Sequence, residues 1–127
     1  MSASAVFEHM LSLKPGLMIM LGDFHYSGHS MMTPDQFKFA VHEQMKSPAI
    51  RQLYTSMPVT YVLDDHDLGE NNADGRHRSA KDAYSAHAEI FPGSTERAYD
   101  LAGARVVQTD ARKYLNSDKG KNLFGPN

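Results

Sequence analysis

The sequence predicts a single α/β domain, and three observations point to that class. Two short apolar runs, at 17–21 and 59–63, have the length and composition of β-strands. Apolar residues recur at helical spacing before, between and after these runs. The resulting order of helix, strand, two helices, strand, helix and strand pair is typical of a mostly parallel sheet flanked by helices. The 127 residues fit one domain, 1–127.

The helices are predicted from periodicity together with residues that start and stop helices. Thr33-Pro34-Asp35-Gln36 has the residues of a capping box, with proline at the first helical position. Ser47-Pro48 starts another helix in the same way, and Pro58 stops it. The predicted helices cover 4–13, a segment that begins at 33–34, a segment from 48 to 57, and 76–91.

The first strand, 17–21, has no alternation of polar residues, which favours a strand buried on both faces of a parallel sheet. The segments 24–33 and 64–75 are predicted to be polar loops. Residues 98–112 are typical of two short strands around Ala102-Gly103, followed by an acidic end at Asp110. We expect the tail, 113–127, to be loose.

Composition excludes several classes of function. The net charge of −2 gives no nucleic-acid-binding signature, and the absence of cysteine excludes disulfides, thiolate metal sites and cysteine nucleophiles. No apolar run approaches the ~20 residues of a membrane span. The N-terminal MSASAVFEHML lacks a basic region and a long apolar region, so no signal peptide is predicted in this chain, and the compartment is left open.

Both apolar runs end in acid, as LMIMLGD and TYVLDDHD. If the two strands are parallel neighbours, Asp23, Asp64 and Asp65 emerge at the same edge of the sheet, where α/β proteins bind ligands. Carboxylates held together repel one another unless some are protonated or a cation neutralises them. Oxygen ligands beside one imidazole suit Mg, Ca, Mn, Fe or Zn.

Several neighbours of these acids could take part in the same site. His66 lies between acids that favour its protonated form, so it could donate a proton to a leaving oxygen. Tyr26 follows Asp23 by three positions, Asn71 and Asn72 offer carbonyl oxygens, and Arg112 could clamp an anion. The alternatives are an ordinary turn at Gly22-Asp23 and a solvated loop at DDHD.

The sequence assigns no site role to the remaining histidines. His25 and His29 flank Tyr26 in a loop, where surface exposure is predicted. Histidines in helical segments are expected to be exposed or partly packed: His9, His42, His77 and His87.

Three segments together resemble one protein family. AVFEHMLSLKPGLMIMLGDFHY is similar to the helix–strand–GDxxY segment of PhoD-like alkaline phosphatases, which are relatives of the calcineurin-like metallophosphoesterases. IRQLYTSMPVTYVLDDHDLGENNADG resembles the next segment, with its DDH[DE] motif and following asparagines, and VVQTDAR resembles a later strand that ends in D-x-R. The Gly-Asp pair alone occurs in many proteins, but the three motifs in this order over residues 5–112 are fairly specific for this family.

The resemblance implies a layered metallophosphatase-like sandwich that hydrolyses phosphate mono- or diesters at a centre of two or more metal ions. By position, Asp23 is similar to the metal-bridging aspartate, Tyr26 to a tyrosine ligand and Asp65 to a metal ligand. His66 matches the histidine that contacts the phosphate or leaving group. Supporting or substrate-contacting roles are implied for Asp64, Asp67, Asn71, Asn72 and Arg112.

The chain also departs from the family. The family's first strand, with its metal ligands, would precede residue 5, and a later ligand segment would follow residue 112. We therefore expect an internal, incomplete piece of a domain, from a family that is often exported. The alternative is a non-catalytic metal-binding or self-assembling fragment. In that case the unpaired sheet edge favours a homodimer.

Overall fold

The computed structural model describes residues 3–27 and 33–115, and its mixture of helices and strands confirms the predicted α/β class. Within these ranges, no helix is both long and apolar enough to cross a lipid bilayer. The elements are α1 (Ala3–Ser12), β1 (Met18–Met20), α2 (Pro34–Met45), α3 (Pro48–Ser56), β2 (Val59–Tyr61), α4 (Asp65–Leu68), α5 (Ala80–Ile90), β3 (Arg97–Leu101), β4 (Ala104–Gln108) and α6 (Ala111–Tyr114).

The strands β1 and β2 pair in parallel, as the sequence predicts. Met18 is opposite Val59, and Met20 is opposite Tyr61. Helices α2 and α3 form the connection between the strands, and the capping box predicted for α2 is present. Because the strands are parallel and in register, the residues that follow them leave the sheet at the same edge.

The core lies on one face of this strand pair. Met20 and Tyr61 are buried there against α2, α4 and α5, whereas Ile19 points to the other face and is 46% exposed. The prediction that residues 17–21 are buried on both faces is therefore wrong for this chain. In the described residues, nothing covers the second face of β1 closely enough to bury Ile19 or Leu21.

The strands β3 and β4 form a separate antiparallel hairpin. The side-chain amide of Gln108, at the end of β4, joins the hairpin to β2. It donates to the carbonyl oxygens of Tyr61 (2.5 Å) and Thr95 (2.9 Å), and its oxygen accepts from the hydroxyl of Thr60. The parallel pair and the hairpin thus do not join into one sheet among the described residues, and the layered sandwich stays a prediction.

The segment 64–75 is not simply the polar loop that the sequence predicts. Asp64 caps a single helical turn, α4, in which Asp65, Asp67 and Leu68 are buried. The apolar Leu68 and Ala73 enter the core and pull this segment inward. The helix predicted from 76 begins at Ala80, since residues 76–79 form turns.

The predicted loose tail is partly ordered. Lys113 and Tyr114 belong to α6, which Asp110 caps by accepting a hydrogen bond from the Lys113 N–H at 3.0 Å. The rest of the tail, 116–127, lies outside the described residues, as do His29 and part of the predicted loop 24–33.

A close approach between the two strand ends depends on Gly22. Its φ is +98°, and a Cβ added there would lie 2.6 Å from both the Cβ and the backbone nitrogen of Asp64. We predict that Gly22→Ala lowers the free energy of unfolding by roughly 1–3 kcal/mol, because it combines backbone strain with a clash against backbone.

Chemical denaturation followed by circular dichroism measures this change, with Gly16→Ala and Gly103→Ala as controls. Gly103 has a φ of +83° but open space around its Cβ position, and nothing lies within 4 Å of the position at Gly16. If Gly22→Ala and Gly103→Ala had equal free energies of unfolding, the close approach of Asp64 would not be what excludes a side chain at position 22.

Candidate metal centre at the strand ends

The carboxylate of Asp67 joins the two strand ends. Its Oδ2 accepts hydrogen bonds from the backbone N–H groups of Asp23 (2.6 Å) and Asp64 (3.0 Å), and its Oδ1 accepts one from Phe24 (2.9 Å). Asp67 is fully buried in α4. Burial raises the pKa of Asp67 to about 6, although these N–H groups favour the ionised form.

This attachment places Asp23 in an unusual backbone conformation. Its φ is +55°, which is uncommon for a residue with a Cβ, and it directly follows Gly22. The turn brings the Asp23 side chain over the start of α4, where its Oδ1 accepts from the N–H of His66 at 3.3 Å. Such strained positions cluster at functional sites, although strain alone does not define one.

Three carboxylates converge at this edge. Asp23, Asp64 and Asp65 each offer one oxygen, and these oxygens lie within 4.8 Å of one another. Asp23 and Asp64 are partly buried, and Asp65 is 6% exposed. Carboxylate oxygens at such separations are suitable ligands for a hard cation. The convergence is the one that the sequence predicts from parallel neighbouring strands.

Arg112 offsets part of the negative charge. Its Nε donates to Asp64, and its guanidinium also lies 3.7 Å from Asp65. Burial would raise the pKa of Asp65, but the hydrogen bond from the Asn72 N–H (2.5 Å) and the charge of Arg112 outweigh it and hold that pKa below its ordinary value. Asp65 is therefore ionised at neutral pH and available as a ligand.

Tyr26 and His66 border the carboxylates on the solvent side. The Tyr26 hydroxyl donates to Asp23 at 3.0 Å, and its ring centroid lies 4.6 Å from that of His66. The hydrogen bond to Asp23 raises the pKa of Tyr26, so the phenol is protonated in this state. If Tyr26 bound a cation held by Asp23, its phenol would lose its proton to become a ligand.

The side chains of the two asparagines are exposed, although their position in the motif implies that they would contact the carboxylate cluster. Asn72 reaches the cluster through its backbone N–H and has a φ of +63°, while its side chain is exposed. Asn71 is also exposed. The structure thus brings together Asp23, Asp64 and Asp65, with Tyr26, His66 and Arg112 at the border, and it leaves the Asn71 side chain at the surface.

Two histidines near this site are buried, contrary to the sequence prediction. His25 is 0% exposed and His87 is 1% exposed. For His87 a signal existed, because it aligns at helical spacing with Ala80, Tyr84 and Phe91 on the apolar side of α5. For His25 no local signal existed, since only the turn at Gly22-Asp23 directs the chain back into the core.

These features define a class of fold: an α/β chain with a carboxylate cluster at the carboxyl ends of parallel strands. A solved structure described as "Structure of PhoD" superposes on 92% of the chain, with a TM-score of 0.72 and 16% sequence identity. The chain therefore has a PhoD-like fold, and it spans 30% of the length of that structure. No family model matches the chain, and no curated protein matches it significantly.

The role of Asp67 is tested by Asp67→Asn. We predict a loss of about 1–3 kcal/mol in the free energy of unfolding, because an amide has a single acceptor oxygen and leaves a buried N–H unpaired. Asp100→Asn is the matched control, since Asp100 is an exposed acid on the hairpin. Equal stability of the two variants in urea denaturation would refute this role for Asp67.

Proposed function

We propose that the chain carries part of a multi-metal centre for the hydrolysis of phosphate mono- or diesters. The observation that carries the proposal is the convergence of the Asp23, Asp64 and Asp65 oxygens at the carboxyl ends of β1 and β2. The PhoD-like fold supports it. The chain spans 30% of the length of that structure. We therefore propose that it supplies some of the residues of a phosphatase metal centre, and that hydrolysis is the activity of the complete centre.

The donor set fits a hard cation. Asp23 and Asp65 would hold it, with the Tyr26 phenol as a further oxygen donor beside Asp23. Such oxygen donors suit Ca, Mg, Mn or Fe, and the adjacent imidazole of His66 also admits Zn. Bound there, a cation supplies Lewis-acid activation of water and neutralises charge on phosphoryl oxygens.

The other residues around the cluster bind and orient the ester. His66 lies at the solvent side, where its imidazole can contact the phosphate or protonate the leaving oxygen. Arg112 is fixed by Asp64, which orients its remaining N–H groups beside the carboxylates for an anionic oxygen. Asp67 acts through the backbone, since it positions Asp23 and Asp64 rather than the substrate.

A non-catalytic, self-assembling metal-binding chain is the second candidate, and one observation favours it. Three large apolar side chains are exposed at or beside the strands: Ile19 in β1 (46%), Leu21 just after β1 (75%) and Val107 in β4 (68%). Apolar side chains on a strand with a free edge favour pairing with another chain. In this alternative the carboxylates bind a cation that has no role in hydrolysis.

Calorimetric titration with Mn²⁺ and Ca²⁺, followed by assays with p-nitrophenyl phosphate and bis-p-nitrophenyl phosphate, separates the two candidates. We predict that Asp65→Asn abolishes Ca²⁺ binding, because it removes an ionised ligand, whereas the exposed Asp100→Asn leaves binding unchanged. His66→Ala should retain metal affinity and lose hydrolysis, with the exposed His42→Ala as its control.

Each result has a distinct meaning. Metal binding with turnover that depends on His66 supports the phosphoesterase centre. Metal binding without turnover, together with a dimer in sedimentation analysis, supports the second candidate. If neither ion binds, or if Asp65→Asn binds Ca²⁺ as the wild type does, the cluster is not a metal centre.

A further inference from the structure

A second group of ligand-type side chains lies on the buried side of Asp67. His25, Asp67 and His87 each offer one nitrogen or oxygen, and these atoms lie within 4.8 Å of one another. All three residues are buried, with exposures of 0%, 0% and 1%. They come from three different segments: the turn after β1, α4 and α5.

The imidazole nitrogens in this group have no hydrogen-bonding side-chain partner among the described residues. In the described ranges, both ring nitrogens of His25 are buried without a hydrogen bond, and the His87 ring has no side-chain partner, its one such contact being with the backbone of Asp67. Buried side-chain nitrogens nearly always have a partner, and leaving one unpaired costs about 1–3 kcal/mol. Unpaired nitrogens on two histidines next to a buried carboxylate require an explanation beyond packing.

Both rings lie in an apolar, buried environment. Burial together with the neighbouring His25 lowers the pKa of His87 to about 4, although a backbone hydrogen bond with Asp67 raises it. Phe37 lies beside His25, and Phe91 lies beside His87, so the rings are enclosed by aromatic side chains. A neutral imidazole carries a nitrogen lone pair, which is the form that binds transition metals.

Asp67 also retains acceptor capacity. Its Oδ2 accepts hydrogen bonds from two backbone N–H groups, but its Oδ1 accepts only one, from the N–H of Phe24. A carboxylate oxygen has a second lone pair, so Oδ1 can bind a cation without releasing either strand end. The two histidine rings are nearly parallel, at 10°, with centroids 6.1 Å apart, and one ring nitrogen of each lies within 4.8 Å of an Asp67 oxygen.

We propose that His25, Asp67 and His87 form a buried site for Zn²⁺ or a similar divalent transition metal. Two imidazole nitrogens and one carboxylate oxygen are donors that Zn²⁺ uses in proteins. The oxygen cluster of Asp23, Asp64 and Asp65 instead has the donors of a hard cation, so the two sites differ in preference. The buried site does not depend on the proposed function, and its role is structural, since it fastens α5 to both strand ends.

Zinc binding to the full chain in the presence of excess Ca²⁺ tests the proposal, since Ca²⁺ competes for carboxylate clusters and not for imidazoles. Chelator-treated protein is incubated with Zn²⁺, desalted and measured by atomic emission. We expect one retained equivalent, which His25→Phe and His87→Phe lose and the exposed His42→Phe keeps. Circular dichroism confirms that each phenylalanine variant is folded.

Nitrogen NMR of the histidine rings provides a readout on the unsubstituted chain, should a variant fail to fold. We expect Zn²⁺ to shift the ring nitrogens of His25 and His87 and to leave those of His9 and His42 in place. The proposal is overturned if no zinc is retained, if the folded His25→Phe and His87→Phe variants keep the equivalent, or if the shifts occur at other histidines.

Discussion

The hydrogen bonds of the Asp67 carboxylate are the constraint on which the rest of the site depends. This one buried side chain accepts hydrogen bonds from the N–H groups of Asp23 and Phe24, which lie beyond β1, and of Asp64, which lies beyond β2. Parallel pairing brings the strand ends to one edge, but it does not fix how the chain turns beyond them. The carboxylate supplies that fixation, and the positive φ values of Gly22 and Asp23 are its local consequence.

The same constraint concentrates negative charge. Four aspartates of two short segments lie at one edge, and repulsion among them opposes folding unless it is offset. The structure offsets it with backbone N–H groups to Asp67 and Asp65 and with the guanidinium of Arg112 against Asp64. Arg112 follows the capping residue Asp110, so the hairpin and α6 contribute directly to the electrostatics of the strand ends.

Local patterns were sufficient for the elements whose signals lie within a few residues. The capping box at Thr33 and the turn at Ala102-Gly103 correspond to α2 and the hairpin, and the two apolar runs correspond to β1 and β2. That Asp23 lies at the same edge as Asp64 and Asp65 followed from parallel pairing, whereas the turn that Asp67 fixes did not. The PhoD-like fold expected from the three motifs is likewise present.

Features that depend on tertiary packing were not predictable in this way. The segment that begins at Asp64 is polar in composition, yet Leu68 and Ala73 draw it into the core as a helical turn. His25 was expected at the surface because no periodic pattern covers it, but the turn at Gly22 carries it inward. Ile19 is exposed because the burial of a strand depends on what covers its faces, which an apolar run does not encode.

The central claim is that both strand ends belong to one cation site, and paramagnetic broadening by Mn²⁺ in amide NMR spectra tests it most directly. At substoichiometric Mn²⁺, the account predicts that the amides of Asp23, His66 and Asn72 broaden together, while those of the hairpin turn at Ala102-Gly103 remain sharp. Broadening at only one strand end, or first at exposed acids such as Asp100, would contradict a shared site.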